Sequence, residues 1–199
     1  MCECVKLMDP GEEGLPSQET EQQISVSFRG KLKGYRVLIA KSDNTGELTK
    51  RGLGDEESDH ISLRIYEAMY MVRQGWLTVD DMENRTLSFQ DLVSRCLSED
   101  KRGWTKFLVY RDLRTRGYVV REGFGIRSDL RVYGRGDYPS SPAKYIVLPI
   151  NEGEKVRLSE LQKMLERVYM MGKEAIVAVV ERRGEIIYYR ASRMNFTKN

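Results

Sequence analysis

Apolar and polar residues alternate in the first patterned part of the chain, and the pattern then changes to a helical period. The alternating runs predict two paired strands, because successive side chains of a strand point to opposite faces. The helical run ends at Gly75, a residue type that commonly terminates helices. A short strand and a second helix are predicted next. In order, these segments are ISVSFRG with GYRVLIAKS, ISLRIYEAMYMVRQG, WLTVDD and LSFQDLVSRCLSED.

The second half of the chain mixes helices and strands again, without repeating the first half. A helix ending at Gly117 precedes three predicted strands, and an amphipathic helix precedes a hairpin around Arg182-Arg183-Gly184. AIVAVVE is apolar almost throughout, which predicts a central strand. The segments are WTKFLVYRDLRTRG, YVVREG, DLRVY, KYIVLPI, LSELQKMLERVYMMG, AIVAVVE and EIIYYRA.

These patterns predict the α/β (α+β) class and divide the chain into three parts. We expect an acidic disordered tail over residues 1–22, a small N-terminal α+β domain over 23–100 and a C-terminal mixed-sheet domain over 101–199. The first 25 residues hold six acidic side chains and one lysine. That composition is typical of a solvated segment.

Overall composition indicates a globular protein, with 40% hydrophobic and 32% charged residues in 199. No run approaches the roughly 20 apolar residues that cross a bilayer, and the N-terminus lacks a secretion signal. We therefore expect a cytoplasmic protein with no membrane partner. Cys2 and Cys4 cannot alone supply a four-ligand zinc site, and no metal or cofactor is expected.

Basic residues concentrate in the middle of the chain. Residues 101–150 hold eleven Lys or Arg against four Asp or Glu, which favours a polyanionic partner or, equally, a solvated basic face. We expect RNA contact first for Arg135 and its loop and for Arg131. The arginines that could follow phosphates are at positions 111, 114, 116, 121, 127, 131 and 135.

Several of these segments resemble the archaeal tRNA-splicing endonucleases. The C-terminal likeness lies in YRDLRTRGYVVREG, DLRVY, KYIV, GKEAIVAVVE and EIIYYR, and the N-terminal one in HISLRIYEAMYMVRQGWLTV. It covers roughly residues 28–195. The resemblance implies a C-terminal domain of the catalytic type found in that family, which cuts tRNA introns without metal.

The resemblance also implies a three-residue chemistry. A tyrosine takes the proton of the ribose 2′-OH, a histidine protonates the leaving 5′-oxygen, and a lysine stabilises charge on the phosphate. Tyr133 and Lys173 match the tyrosine and the lysine. The histidine position, counted from the tyrosine or from the next strand, falls on Ser141 or Pro142, and neither side chain can act as the acid.

The missing acid predicts the role of this chain. The one histidine in the sequence, His60, is expected on the surface at the start of the N-terminal helix. Loss of a general acid typically costs 10²- to 10⁴-fold in rate. The resemblance therefore implies a structural subunit of a heterotetramer, paired with a catalytic endonuclease subunit and binding precursor tRNA.

Family features outside the catalytic trio are partly kept. Arg167 resembles one of two arginines that hold a base at the cut site, although it lies one residue too close to Lys173. The second arginine position falls near Ile187 or Tyr188. The loop implied to insert into the neighbouring subunit, together with the edge strand implied to pair with it, contains Glu181, Arg182, Arg183, Glu185, Ile187 and Tyr189.

Three other functions stay open at this level. The chain could be a catalytic subunit with a substituted acid, such as Asp137 or Tyr138. It could be a metal-dependent nuclease that uses Asp129, although the next strand offers no second carboxylate. It could also be an RNA-binding module without enzymatic activity. Cleavage by the isolated chain, chelation by EDTA and the salt dependence of RNA binding would separate these alternatives.

Overall fold

The computed structural model describes residues 27–125 and 129–192. The acidic tail predicted for residues 1–22 lies outside these ranges, as do Arg127 and both N-terminal cysteines. Within the described ranges the chain forms two five-stranded sheets with helices packed between and against them, which confirms the α+β class. No helix in these ranges combines the length and the apolar character needed to cross a bilayer.

The N-terminal sheet has the strand order β3-β4-β2-β1-β5. β1 and β5 are parallel, and the other pairs are antiparallel. One face, with Phe28, Val37 and Leu63 among its residues, is buried in the main core. The elements are β1 (Phe28–Lys33), β2 (Arg36–Ala40), α1 (Gly46–Lys50), β3 (Asp55–Glu56), β4 (His60–Arg64), α2 (Ile65–Arg73), β5 (Leu77–Asp80) and α3 (Phe89–Glu99).

One predicted helix begins later than its sequence pattern indicated. Residues 61–64 of the expected helix belong to β4 (His60–Arg64), and α2 begins only at Ile65. The Glu67 side chain accepts a hydrogen bond from the Arg64 backbone N–H at 2.8 Å, which satisfies a free donor at the helix start. His60 therefore lies at the start of a strand rather than of a helix.

The C-terminal sheet has the order β10-β9-β8-β7-β6. β8 and β9 are parallel and are joined through α5, whereas the remaining pairs are antiparallel. β9 is an interior strand and β10 is the outer one, as the apolar pattern and the resemblance predicted. The elements are α4 (Gly103–Thr115), β6 (Val120–Glu122), β7 (Leu130–Val132), β8 (Tyr145–Asn151), α5 (Leu158–Met170), β9 (Glu174–Val180) and β10 (Ile186–Ala191).

Two of the arginines expected on an RNA surface instead fasten the two halves together. Arg114 is 7% exposed and donates to the carbonyl of Arg51 at 2.9 Å. Arg121 donates to the Gly54 carbonyl and pairs with Asp55. Both guanidinium groups are occupied within the protein, which favours the structural interpretation over a phosphate contact for these two arginines.

A wider group of charged residues surrounds this contact, and we call it the junction cluster. Lys106 and the Tyr66 hydroxyl both donate to Glu122, and Glu67 lies fully buried nearby. Burial raises the pKa of Glu67, and Arg121 only partly offsets this effect. The junction cluster comprises Asp55, Arg64, Tyr66, Glu67, Lys106, Arg121 and Glu122.

Candidate functional site

Sheet register brings the predicted catalytic positions to one end of the C-terminal sheet. Val132 at the end of β7 pairs with Tyr145 at the start of β8, which pairs with Glu174 at the start of β9. Tyr133 and Lys173 are the residues immediately beyond these ends. Neighbouring strands lie about 4.8 Å apart, so the two backbones are separated by roughly 10 Å. The structure thus brings Tyr133 and Lys173 to the same end of the C-terminal sheet, with β8 between them.

Tyr133 is half-buried and is held from two sides. Its backbone N–H donates to the Val119 carbonyl at 3.0 Å, and its ring meets Tyr138 edge-on with centroids 5.0 Å apart. Tyr138 in turn lies close to Gly52 of the N-terminal half. A Cβ at Gly52, which has φ +67°, would collide with the Val119 side chain. The N-terminal half therefore supports the tyrosine pair.

The loop over residues 134–144 contains the position where an acid is needed. Its fold is fixed by backbone bonds, in which Asp137 N–H donates to the Gly134 carbonyl and Ser141 N–H to the Asp137 carbonyl at 2.7 Å. Ala143 is buried and anchors the end of the loop. Ser141 and Pro142 are exposed, and neither provides an ionisable side chain.

Lys173 follows the C-terminus of α5. Its N–H donates to the Val168 carbonyl at 3.2 Å, and Gly172 before it has φ +66°, so the helix ends in the left-handed turn that glycine favours. A cation is favourable at this end of a helix. The half-buried lysine is therefore compatible both with the structural interpretation and with a retained phosphate contact.

Sequence reasoning missed a second set of charges at this edge, which we call the strand-end cluster. It consists of Lys144, Glu174 and Arg190. Glu174 lies 2.7 Å from an Arg190 Nη2 and 3.8 Å from Lys144 Nζ. Interaction with Tyr145 and Glu174 raises the pKa of Lys144. Only the register of β8, β9 and β10 brings these residues together, so spacing along the chain gave no signal.

His60 lies away from this edge, on the N-terminal sheet. Its Nδ1 is 2.6 Å from the Asp59 carboxylate, and its Nε2 is 3.1 Å from Glu57. Both partners belong to the segment that leads into β4. His60 therefore lies outside the candidate site, as the sequence analysis expected.

The arginines proposed for RNA contact differ in how much of each guanidinium is free. Arg135 is exposed, donates to the Arg116 carbonyl at 3.1 Å and lies over the Tyr118 ring. Arg131 is half-buried, and its Nε donates to the Glu122 carbonyl at 2.6 Å. Arg167 is exposed on α5. Arg135 and Arg167 are the more accessible of the three.

The second base-holding position carries a buried aromatic. Tyr188 is 5% exposed, and its hydroxyl donates to Asp112 at 2.7 Å. Burial and this bond raise its pKa. Arg116 pairs with the same Asp112 and lies 5.8 Å from the Tyr188 ring centroid. Tyr188 is therefore part of the packing between α4 and β10 and is closed to a nucleobase.

The predicted interface loop is a tight, exposed hairpin. Glu181 N–H donates to the Glu185 carbonyl at 2.9 Å, and Arg182, Arg183 and Glu185 are exposed. Ile187 and Tyr189 of β10 are half-buried. A groove of about 420 Å³ between α5 and β10 is lined by Leu161, Leu165, Val177, Tyr189, Arg190, Ala191 and Ser192.

Asp129, the residue considered for a metal-dependent nuclease, lies in the protein interior. It is fully buried, and its carboxylate accepts the Phe124 N–H at 2.7 Å. The carboxylate also lies against Gly123, where a Cβ would collide with it. Within residues 27–125 and 129–192 there is no group of three or more His, Cys, Asp or Glu side chains that could hold a metal.

Comparison with known proteins agrees with this geometry. Residues 103–188 match the tRNA intron endonuclease catalytic C-terminal domain, and residues 28–93 match the N-terminal domain of the same family. A tRNA-splicing endonuclease of Methanococcus vannielii is 33% identical over 159 residues, covering 80% of this chain and 90% of the relative.

Two further relatives differ in how much of their own length is matched. The tRNA-splicing endonuclease of Pyrococcus furiosus is 31% identical over 166 residues, covering 83% of this chain and 95% of the relative. That of Methanosarcina mazei is 32% identical over 164 residues, which is 81% of this chain and 45% of the relative. By sequence and by the arrangement of its two halves, the chain belongs to the tRNA intron endonuclease family.

Proposed function

We propose that the chain acts in tRNA splicing as a structural subunit of a heterotetrameric endonuclease. In this proposal it pairs with a second family chain that carries the complete catalytic trio, and it binds precursor tRNA without cutting it. Products are a 2′,3′-cyclic phosphate and a 5′-hydroxyl, made at the partner's site. Membership of the family and the printed names of its relatives support the tRNA substrate.

One observation carries the structural role. The loop between β7 and β8 offers exposed Ser141 and Pro142 where a general acid is required, while His60 is held by Asp59 and Glu57 on another sheet. Tyr133 and Lys173 remain at the strand ends. A site that lacks its acid is expected to lose 10²- to 10⁴-fold in rate.

The outer strand and its hairpin support a subunit interface. An edge strand leaves backbone groups free to pair with another chain. β10 occupies that position, and the apolar groove with Leu161, Leu165 and Tyr189 runs beside it. In the proposal, residues 181–185 insert into the neighbouring subunit, and Ile187 and Tyr189 contact it. Arg135 and Arg167 provide exposed cations for RNA, and the half-buried Arg131 on β7 is a third proposed contact.

The proposal is tested by mixing. The purified chain and a second family chain that has the histidine are each incubated alone with an intron-bearing precursor tRNA, and then together. Intron release is measured on a denaturing gel. We expect no cleavage by this chain alone and cleavage in the mixture. Rapid cleavage by this chain alone would overturn the proposal.

Matched variants then locate the chemistry. Tyr133→Phe in this chain should leave the rate of the mixture nearly unchanged, whereas the same change at the partner's tyrosine should abolish cleavage. If Tyr133→Phe in this chain abolished cleavage instead, the site at β7 would be catalytic.

A second candidate is favoured by the Tyr138 ring, which lies edge-on to Tyr133 at 5.0 Å. In that case the chain cuts by itself, with Tyr138 or Asp137 as the substituted acid. Tyr138→Phe removes only the hydroxyl and keeps the ring contact. Loss of a lone-chain activity in this variant, with Asp137→Asn as the parallel change, would support the catalytic alternative.

A further inference from the structure

The N-terminal sheet has an open face with an unequal distribution of charge. Side chains of β1, β2 and β5 that point away from the core include four cations and one carboxylate. The face is lined by a shallow groove of about 650 Å³. The charged side chains on these three strands are Arg29, Lys31, Lys33, Arg36 and Asp80, and the groove is also lined by Asp59 and His60.

Two of these cations are unneutralised. Arg29 lies 3.4 Å from Asp80, and Arg36 lies 3.5 Å from Asp55. Lys31 and Lys33 are exposed on β1, and neither has an ion-pair partner among residues 27–125 and 129–192. Same-face residues of a strand are about 6.8 Å apart. They form a short row of fixed positive charge on a rigid strand.

The positive surface continues around the tip of the first hairpin. Tyr35 in the turn between β1 and β2 is 43% exposed. The guanidinium of Arg95, an exposed residue of α3, lies 5.8 Å from the Tyr35 ring centroid. Lys31 and Lys33 on β1 are followed by Tyr35 in the turn, and Arg95 lies against the Tyr35 ring. Cations next to an exposed aromatic ring are a combination suited to a nucleic-acid backbone.

This face lies away from the contact between the two halves. β3 is the edge that Arg121 of the C-terminal half contacts, and β1 lies three strand spacings, about 14 Å, further along the sheet. An RNA segment bound here would therefore make a contact additional to any at the strand ends of the C-terminal sheet.

We infer that the open face of β1 and β2 binds the phosphate backbone of the precursor tRNA at a point remote from the intron boundary. The inference rests on the proposed function only for the identity of the RNA. The charge excess on these strands favours a polyanion, since Lys31 and Lys33 form no ion pair within residues 27–125 and 129–192, and the carboxylate in register with Lys31, Asp80, pairs with Arg29. Each phosphate contact should contribute about 0.7 to 0.9 to the salt slope of binding.

The test uses the full chain and a double variant, Lys31→Gln with Lys33→Gln. Binding to a fluorescent precursor tRNA is measured by anisotropy at several salt concentrations. From about 50 to about 200 mM salt, the wild type should lose roughly tenfold more affinity than the variant, because two phosphate contacts are missing. The control, Lys155→Gln with Lys163→Gln, removes the same charge from exposed positions on the other half and should keep the wild-type slope.

A second probe locates the contact. A short bulge-helix-bulge RNA without the tRNA body should bind the wild type and the Lys31/Lys33 variant with equal slopes. If the variant kept the wild-type slope with precursor tRNA, the inference would be refuted, whether the face is free or is covered by protein. If the variant lost as much salt slope with the short RNA as with precursor tRNA, the contact would lie at the cut site, and the inference would also be refuted. Cleavage by the lone chain, which contradicts the proposed function, would alter neither slope.

Discussion

The junction cluster and the strand-end cluster contain the same kinds of side chain in opposite surroundings. In the junction cluster the side chain of Lys106 is 8% exposed and donates to Glu122. In the strand-end cluster the side chain of Lys144 is 53% exposed and lies 3.8 Å from Glu174. The first holds two halves of the protein together, and the second lies at the end of the C-terminal sheet where Tyr133 and Lys173 flank β8.

The difference in exposure changes what each charge does. Burial raises the pKa of Glu122, but Lys106, Tyr66 and Arg64 together outweigh this effect and lower it. A buried charge is tolerated only when such partners compensate its desolvation. At the strand ends water solvates each charge, so the ion pairs contribute little to stability and the cations can exchange partners. Identical residue types therefore hold the two halves together in one place and remain solvated at the surface in the other.

The largest expected effect comes from removing the buried cation. Lys106→Met keeps the length of the side chain and deletes its charge, which leaves Glu122 partly buried without its main partner. Removing one member of a buried ion pair typically costs about 3–5 kcal/mol. Because the Glu122 side chain is still 30% exposed, we expect the lower end, about 3 kcal/mol, in the free energy of unfolding measured by urea denaturation.

Lys144→Met is the matched control, since it makes the same change in the strand-end cluster. We expect no resolvable change in the free energy of unfolding there, because water already solvates the Lys144 ammonium group. Equal losses of unfolding free energy in the two variants would show that exposure does not determine how much each ion pair stabilises the protein.

Much of the fold follows from local pattern, and the exceptions have physical causes. Strands and helices from β7 to β10 agree with their apolar periods. Residues 61–64 were misassigned because the strand runs directly into the helix, so that Ile61 and Leu63 were read as part of the helical run, and Glu67 marks the true start only through its bond to Arg64. Periodicity alone cannot divide such a run.

The candidate site was predictable only in part. Tyr133 and Lys173 were assigned by resemblance, and the absence of an acid was evident from the residue types at Ser141 and Pro142. The roles of Arg114 and Arg121 could not be predicted. In the sequence, an arginine in a basic segment looks the same whether it contacts RNA or a backbone carbonyl such as that of Gly54. Arg190 joins Glu174 through strand register, which chain spacing does not encode.

A smaller effect is expected from the buried Glu67. Burial raises its pKa above the ordinary value near 4.3. A carboxyl group with a raised folded-state pKa contributes stability that is present below its unfolded pKa and is lost as the pH rises through the folded pKa. Glu67→Gln removes this loss, since the amide oxygen can still accept the Arg64 N–H. The variant should gain stability relative to the wild type as the pH rises above about 4.3, until the pH passes the raised pKa of Glu67.

Urea denaturation at several pH values measures this difference. Glu83→Gln, at an exposed position with a 76% exposed side chain, is the control for removing one carboxyl group from the surface. A difference for Glu67→Gln that does not vary with pH would mean that the Glu67 carboxyl group is not desolvated in the folded protein.

The smallest expected effect on stability sharpens the comparison most, because it separates cohesion from recognition. Glu174→Gln releases Lys144 and Arg190 from a shared carboxylate, and we expect the free energy of unfolding to change by less than about 1 kcal/mol. The released cations can then contact phosphate, so the salt slope for precursor tRNA should steepen by about one.

Glu122→Gln in the junction cluster removes an equal charge but exposes no cation, because Lys106 stays buried. It should lower stability and leave the slope unchanged. If both variants left the slope unchanged, the strand ends would not meet RNA, and Tyr133 and Lys173 would be remnants of packing rather than of binding.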